Sequence, residues 1–171
     1  SKMFKFRLQK ALGIFISALL MGPAFDALFN VKAITLIAFV GTLILFTALL
    51  VQKNKIYVYN PTLIYMLLLT YIITIFQNMF LEYIPQIPNG MAYLTLNITL
   101  FLLLFVTGTD KIIDALFDGL RVFGIILGLL LILPICFGVD YRDFYPAGFG
   151  VWLTLGLAAG MSSTAWLSKL D

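Results

Sequence analysis

The sequence predicts an all-α fold, a polytopic bundle of about six membrane-spanning helices with both termini cytoplasmic, and three observations carry that expectation. Hydrophobic residues make up 62% of the 171-residue chain and charged residues 11%, less than half the charged share of an ordinary soluble domain; the mean hydropathy is +1.05. Apolar runs at 33–51, 62–80 and 148–167 are each about as long as the ~20 residues that cross a bilayer as helix. The basic residues are also unevenly placed. With the N-terminus inside, Lys2, Lys5, Arg7, Lys10, Lys53, Lys55, Lys111, Arg121 and Lys169 fall on the cytoplasmic side and only Lys32 and Arg142 outside, a positive-inside bias that the opposite orientation inverts.

The first span, about 10–29, follows the basic Lys5, Arg7 and Lys10. That order, with Gly22-Pro23-Ala24 behind an apolar stretch, also fits a secretory signal; we read it as the first membrane helix. Residues 30–32 lead into a second span at 33–51, and 52–60 into a third at 61–83. The third carries Thr70, Thr74, Gln77, Asn78 and Glu82 every three or four residues, one polar stripe on a helix face. Amides on such a stripe need protein or water rather than lipid, so it reads either as interhelical hydrogen bonding, favoured here, or as the lining of a solute path. Pro85, Pro88 and Gly90 then make a tight turn into a fourth span at 91–108. Asn97 lies there as far from the turn as Asn78, which sets the two amides at one depth.

Residues 109–118 are amphipathic, with Ile112, Ile113, Leu116 and Phe117 opposite Asp114 and Asp118. They fit an interfacial turn or a helical extension of the fifth span equally well. That span, 119–138, holds Gly124 and Gly128; the sixth, 148–167, holds Gly156, Gly160 and Thr164 at four-residue spacing, with Gly148 on the same row. Small residues so spaced let backbones approach closely in lipid, and the two ridges are expected to pack on each other or on another subunit. Pro23 and Pro134 interrupt spans one and five, freeing carbonyls. Tyr83, Tyr93, Tyr141, Tyr145 and Trp152 are expected at the outer interface. Lys10, Gly13, Ile14, Leu20 and Pro23 match Arg121, Gly124, Ile125, Leu131 and Pro134 at one offset, a faint sign of a parallel repeat.

The spans leave roughly 50 residues for tails and connections, so the chain reads as a single transmembrane domain, 1–171, and any function must reside in helices, short loops or partners. There is no histidine and Cys136 is the only cysteine. That removes the commonest metal ligand, any internal disulfide and multi-cysteine clusters, and no cofactor or metal is expected. Nucleophile elbows, phosphate-binding glycine loops and deep carboxylate pairs do not occur. No ionisable residue sits at the middle of a span, which argues against an ion-coupled pump. The net charge of +3 follows from topology and implies no nucleic acid. The leading expectation is a non-catalytic subunit of a bacterial-type inner membrane, an anchor, scaffold or sensor associating with itself or with another membrane or cytoplasmic protein. A small-solute transporter or channel using the third span is the alternative, and an intramembrane enzyme a distant third.

Overall fold

The computed structural model describes residues 2–53, 110–148 and 151–170, together with Thr62, Tyr65, Met66, Leu69, Ile72 and Ile73. Among these the regular structure is helical: α1 (Lys2–Phe29), α2 (Ala33–Lys53), α3 (Asp110–Cys136), α4 (Tyr141–Phe144) and α5 (Val151–Leu167). The segments Arg7–Phe29 and Asp110–Cys136 are long and apolar enough to cross a membrane; Ala33–Leu49 and Val151–Leu167 are apolar but shorter. The spans expected at 61–83 and 91–108 fall almost wholly outside the described residues. The chain divides into two compact units, Ser1–Leu49 with Asp110–Asp171, and Leu50–Thr109. Of the second, the described residues are the last turn of α2 and the isolated helical positions at 62–73, all of them exposed where their side chains are described.

Within the first unit, α1 is the central helix: 61% of its apolar window is buried, against 22% for α3. Its buried Leu12, Ile16 and Leu19 recur at helical spacing. Small residues set the closest approach. Gly13 lies against Ile112, Ala115 and Leu116, and Gly119 lies against Ser17; further along, the rings of Phe25 and Phe123 meet edge to face at 6.3 Å. Positions rise together on both helices, so α1 and α3 run parallel. Helix α5 runs the other way along α3, with Ser162 on Gly124 and Ala165 beside Arg121. Helix α2 folds back on α1, placing Thr35 at Gly22 and Gly41 under the Phe15 ring.

The amphipathic stretch 110–118 is the first third of one continuous helix, α3, rather than a separate interfacial turn. Ile112 and Ala115 are buried while Asp114 and Asp118 are exposed. The contact with α1 uses the apolar side of this stretch, which holds it in line with the rest of the span.

Both long helices end in the same way. Asn30 (φ 52°), one residue past α1, and Gly138 (φ 68°), two residues past α3, adopt the left-handed conformation. The Val31 N–H then donates to Asp26 O at 2.9 Å, and the Val139 N–H to Pro134 O at 3.0 Å. This is the Schellman arrangement, which satisfies carbonyls that the helix end leaves without partners.

Candidate interaction surface

The first unit exposes far more apolar surface than a protein in water. Leu36, Ile37, Ile44, Val122, Leu129, Ile132, Leu133, Leu153 and Leu157 are exposed, whereas Ser17, Asp26, Thr42, Arg121 and Ser162 are buried. Apolar surface on that scale marks a lipid or protein contact, and the buried Ser17, Asp26, Thr42 and Arg121 all have hydrogen-bond partners.

Asp26 is a cap supplied from the preceding helix. Lys32 precedes α2 and offers no side-chain acceptor to its first turn. The Ile34 N–H donates instead to Asp26 Oδ1 at 3.1 Å and the Thr35 N–H to Oδ2 at 3.0 Å. A carboxylate also suits the positive end of the α2 dipole. Arg121 does the converse at the end of α5. Its Nε donates to Ala165 O at 2.8 Å, Nη2 to Ser168 Oγ at 2.8 Å and Nη1 to Asp118 Oδ1 at 2.7 Å. The Ser168 hydroxyl donates to the same Ala165 carbonyl at 2.7 Å. The hydroxyls inside helices bond to their own backbones: Ser17 to Ile14 O at 2.6 Å, Thr42 to Ala38 O at 2.7 Å and Thr164 to Gly160 O at 2.8 Å. Ser17 and Thr42 are thereby buried without an orphaned donor.

Pro134 has no N–H for Leu130 O, four residues earlier. That carbonyl accepts the Tyr145 hydroxyl at 2.7 Å, so the group freed by the proline has a partner inside the protein. Tyr145 is 9% exposed, packed edge to face on Phe29 at 5.3 Å, and thus faces inward rather than belonging to an outer aromatic belt. Tyr145→Phe removes one hydrogen bond at nearly constant shape and should cost about 1 kcal/mol, read as a lowered unfolding midpoint in detergent. An unchanged midpoint would mean that the carbonyl finds water instead.

The small residues singled out in the sequence separate into two groups. Gly124 is in close contact, since a Cβ there would fall on the Ser162 hydroxyl. Gly148 lies beside Asn30, and its N–H donates to Ala27 O at 2.8 Å, tying the loop after α4 to the end of α1. Among the described residues, none comes within 4 Å of a Cβ built at Gly128, Gly156 or Gly160. The two expected ridges therefore do not pack on each other. Helix α5 turns Ala158, Ser162 and Ala165 inward, a rotation fixed where Arg121 takes the Ala165 carbonyl. The row Gly156–Gly160–Thr164 is left on a groove of about 410 Å³ whose other walls include Leu20, Phe117 and Leu120. Gly13, Ser17, Ala115 and Gly119 make a close interhelical seam that had not been expected as a packing ridge; their four-residue spacing was the available signal. Thr70, Thr74, Gln77, Asn78, Glu82 and Asn97 lie outside the described residues.

No family model matches the chain, and no curated protein or solved structure is similar to it.

Proposed function

We propose that this chain is a non-catalytic integral membrane protein that works as an oligomeric or complex-forming subunit, an anchor, scaffold or sensor, in a bacterial-type inner membrane. About six spans with both ends cytoplasmic fit the parallel run of α1 and α3, and they fit the clustering of Arg7, Lys10, Lys111, Arg121 and Lys169 at one end of the first unit, against Lys32 and Arg142 at the other. The many exposed large apolar side chains support lipid as the solvent. The observation that carries the subunit reading is the open row on α5. Comparable small residues are closed elsewhere, Gly13 on Ala115 and Gly124 on Ser162, while Gly156 and Gly160 meet none of the described residues at that range. A bare row of this kind is suited to close approach by another helix.

The test is the protein mass of the complex purified in mild detergent. The wild type should exceed one chain of 19.1 kDa. Gly160→Leu, which has room in the free subunit, should return the mass toward one chain with the unfolding midpoint unchanged. A wild type of single-chain mass with no partner, or a variant of undiminished mass, would overturn the subunit reading.

A further inference from the structure

The hydrophobic edge at the end of α3 does not stop where the helix stops. Phe137 and Phe144 stack with centroids 5.8 Å apart and planes at 18°, yet they are 68% and 39% exposed. They are not on a loose loop. The Phe137 and Gly138 N–H groups donate to Pro134 O and Ile135 O at 3.0 Å each, and the Phe144 N–H donates to Asp140 O at 3.1 Å. Asp140 Oδ1 also accepts the Arg142 N–H at 3.0 Å, capping α4. The Phe144 ring packs edge to face on the anchored Tyr145 at 4.9 Å. A saturated backbone thus holds two aromatic rings outward, an arrangement disfavoured in water.

Three features identify the medium that covers them. Between Arg121 and Asp140 the sequence has no charged residue, and the exposed side chains of Leu129, Ile132, Leu133 and Ile135 continue directly into Phe137. Phe137 lies about 19 residues beyond Asp118, roughly 28 Å of helix, close to the ~30 Å thickness of a hydrocarbon core. Directly after it come the exposed Asp140, Arg142 and Asp143. The Arg142 guanidinium is 5.6 Å from the Tyr141 ring centroid and donates to the Tyr141 hydroxyl at 3.2 Å. That hydrogen bond is the main reason the guanidinium titrates above its ordinary range. Apolar rings on one side and fixed charges on the other, within a single turn, suit the boundary between acyl chains and headgroups.

We propose that the Phe137–Phe144 pair, presented by α4, is an interfacial anchor seated at the hydrocarbon–headgroup boundary of the leaflet farther from Arg121, with phospholipid as its partner. The proposal rests on the membrane reading above and specifies where one surface of the first unit meets the lipid.

The experiment uses the full chain with Trp152 and Trp166 replaced by Phe and a single tryptophan introduced as Phe144→Trp. The protein is reconstituted in phosphatidylcholine vesicles whose acyl chains are brominated either near the carbonyl or near the chain end. Quenching should be about twofold stronger with the shallow bromines, as befits a ring held at the acyl–headgroup boundary. Leu129→Trp, in the middle of α3, should show the opposite preference. Should Phe144→Trp not fold, Phe137→Trp gives the same readout. Quenching at Leu129 with none at the anchor position overturns the anchor and leaves the membrane reading standing. Equal or stronger quenching of the anchor by deep bromines also overturns it. No quenching at either position overturns the membrane reading and the anchor with it.

Discussion

Gly13→Leu should prevent α1 and α3 from pairing and so destroy the folded first unit. A Cβ at Gly13 would stand 2.5 Å from the Ile112 carbonyl oxygen, 2.6 Å from the Ala115 Cβ and 2.9 Å from the Leu116 nitrogen. Two of those atoms are backbone, so relief requires the helices to separate, and separation exposes the small-residue seam running on to Ser17 and Gly119. Overpacking of this kind costs about 1–3 kcal/mol for modest groups and more for a whole leucine side chain. Gly13→Ala should accordingly lower stability by roughly 2 kcal/mol, and Gly13→Leu should give protein that is aggregated or cleaved by protease at its helices. Gly128→Ala is the matched control, because open space surrounds that position. Alanine's better helix propensity should leave it neutral or more stable by up to ~1 kcal/mol. Unfolding followed by circular dichroism in detergent separates the two, and equal stability of Gly13→Ala and wild type would refute the seam.

Arg121→Met should be the most damaging single change at the opposite helix contact, at about 2–4 kcal/mol. The guanidinium is buried, with 11% of its side chain exposed, whereas Asp118 is 60% exposed. An ion pair with so exposed a partner contributes little. What is lost is the charged donor to the end of α5, where Ala165 O otherwise keeps only the Ser168 hydroxyl. Arg121→Lys should not restore stability, since one ammonium cannot reproduce a fork that reaches three acceptors on two helices. Asp118→Asn should cost less than about 1 kcal/mol. Denaturant titrations, with proteolysis near Ser168 as a local readout, distinguish these cases. A loss at Asp118→Asn equal to that at Arg121→Met would assign the stabilisation to the ion pair instead.

Among the described residues, hydropathy marked the apolar helices, because long apolar runs are what it detects. The expected end of the first span and start of the second coincide with the limits of α1 and α2, at Phe29 and Ala33. The start of α1 lies earlier than expected, since Lys5, Arg7 and Lys10 fall within the helix. Helix α4 was missed inside the connection 139–147, being only one turn long, although Asp140 was a visible cap. Pairing was the less legible level. The seam of Gly13, Ser17, Ala115 and Gly119 has the same spacing as the row at Gly156 and Gly160, and spacing does not say which row finds a partner within the chain. Tyr145 was expected in an outer belt by residue type, but the carbonyl orphaned by Pro134 draws it inward. The cap that Asp26 provides was not legible, because its hydrogen-bond partners are backbone N–H groups, which no sequence pattern displays.

The Asp26 cap also sets a sequence of events during synthesis. Its partners lie eight and nine residues ahead, so the α1–α2 turn can close soon after Thr35 has been made, at little loop entropy. The α1–α3 seam joins positions roughly 100 residues apart, and such distant pairings form late. Until α3 emerges, the face of α1 that carries Gly13 and Ser17 has no native partner, with the hairpin already formed beside it. The nascent chain therefore passes through an interval in which its most closely packed surface is vacant, and the speed with which α3 is delivered governs how long competing helices have access to it.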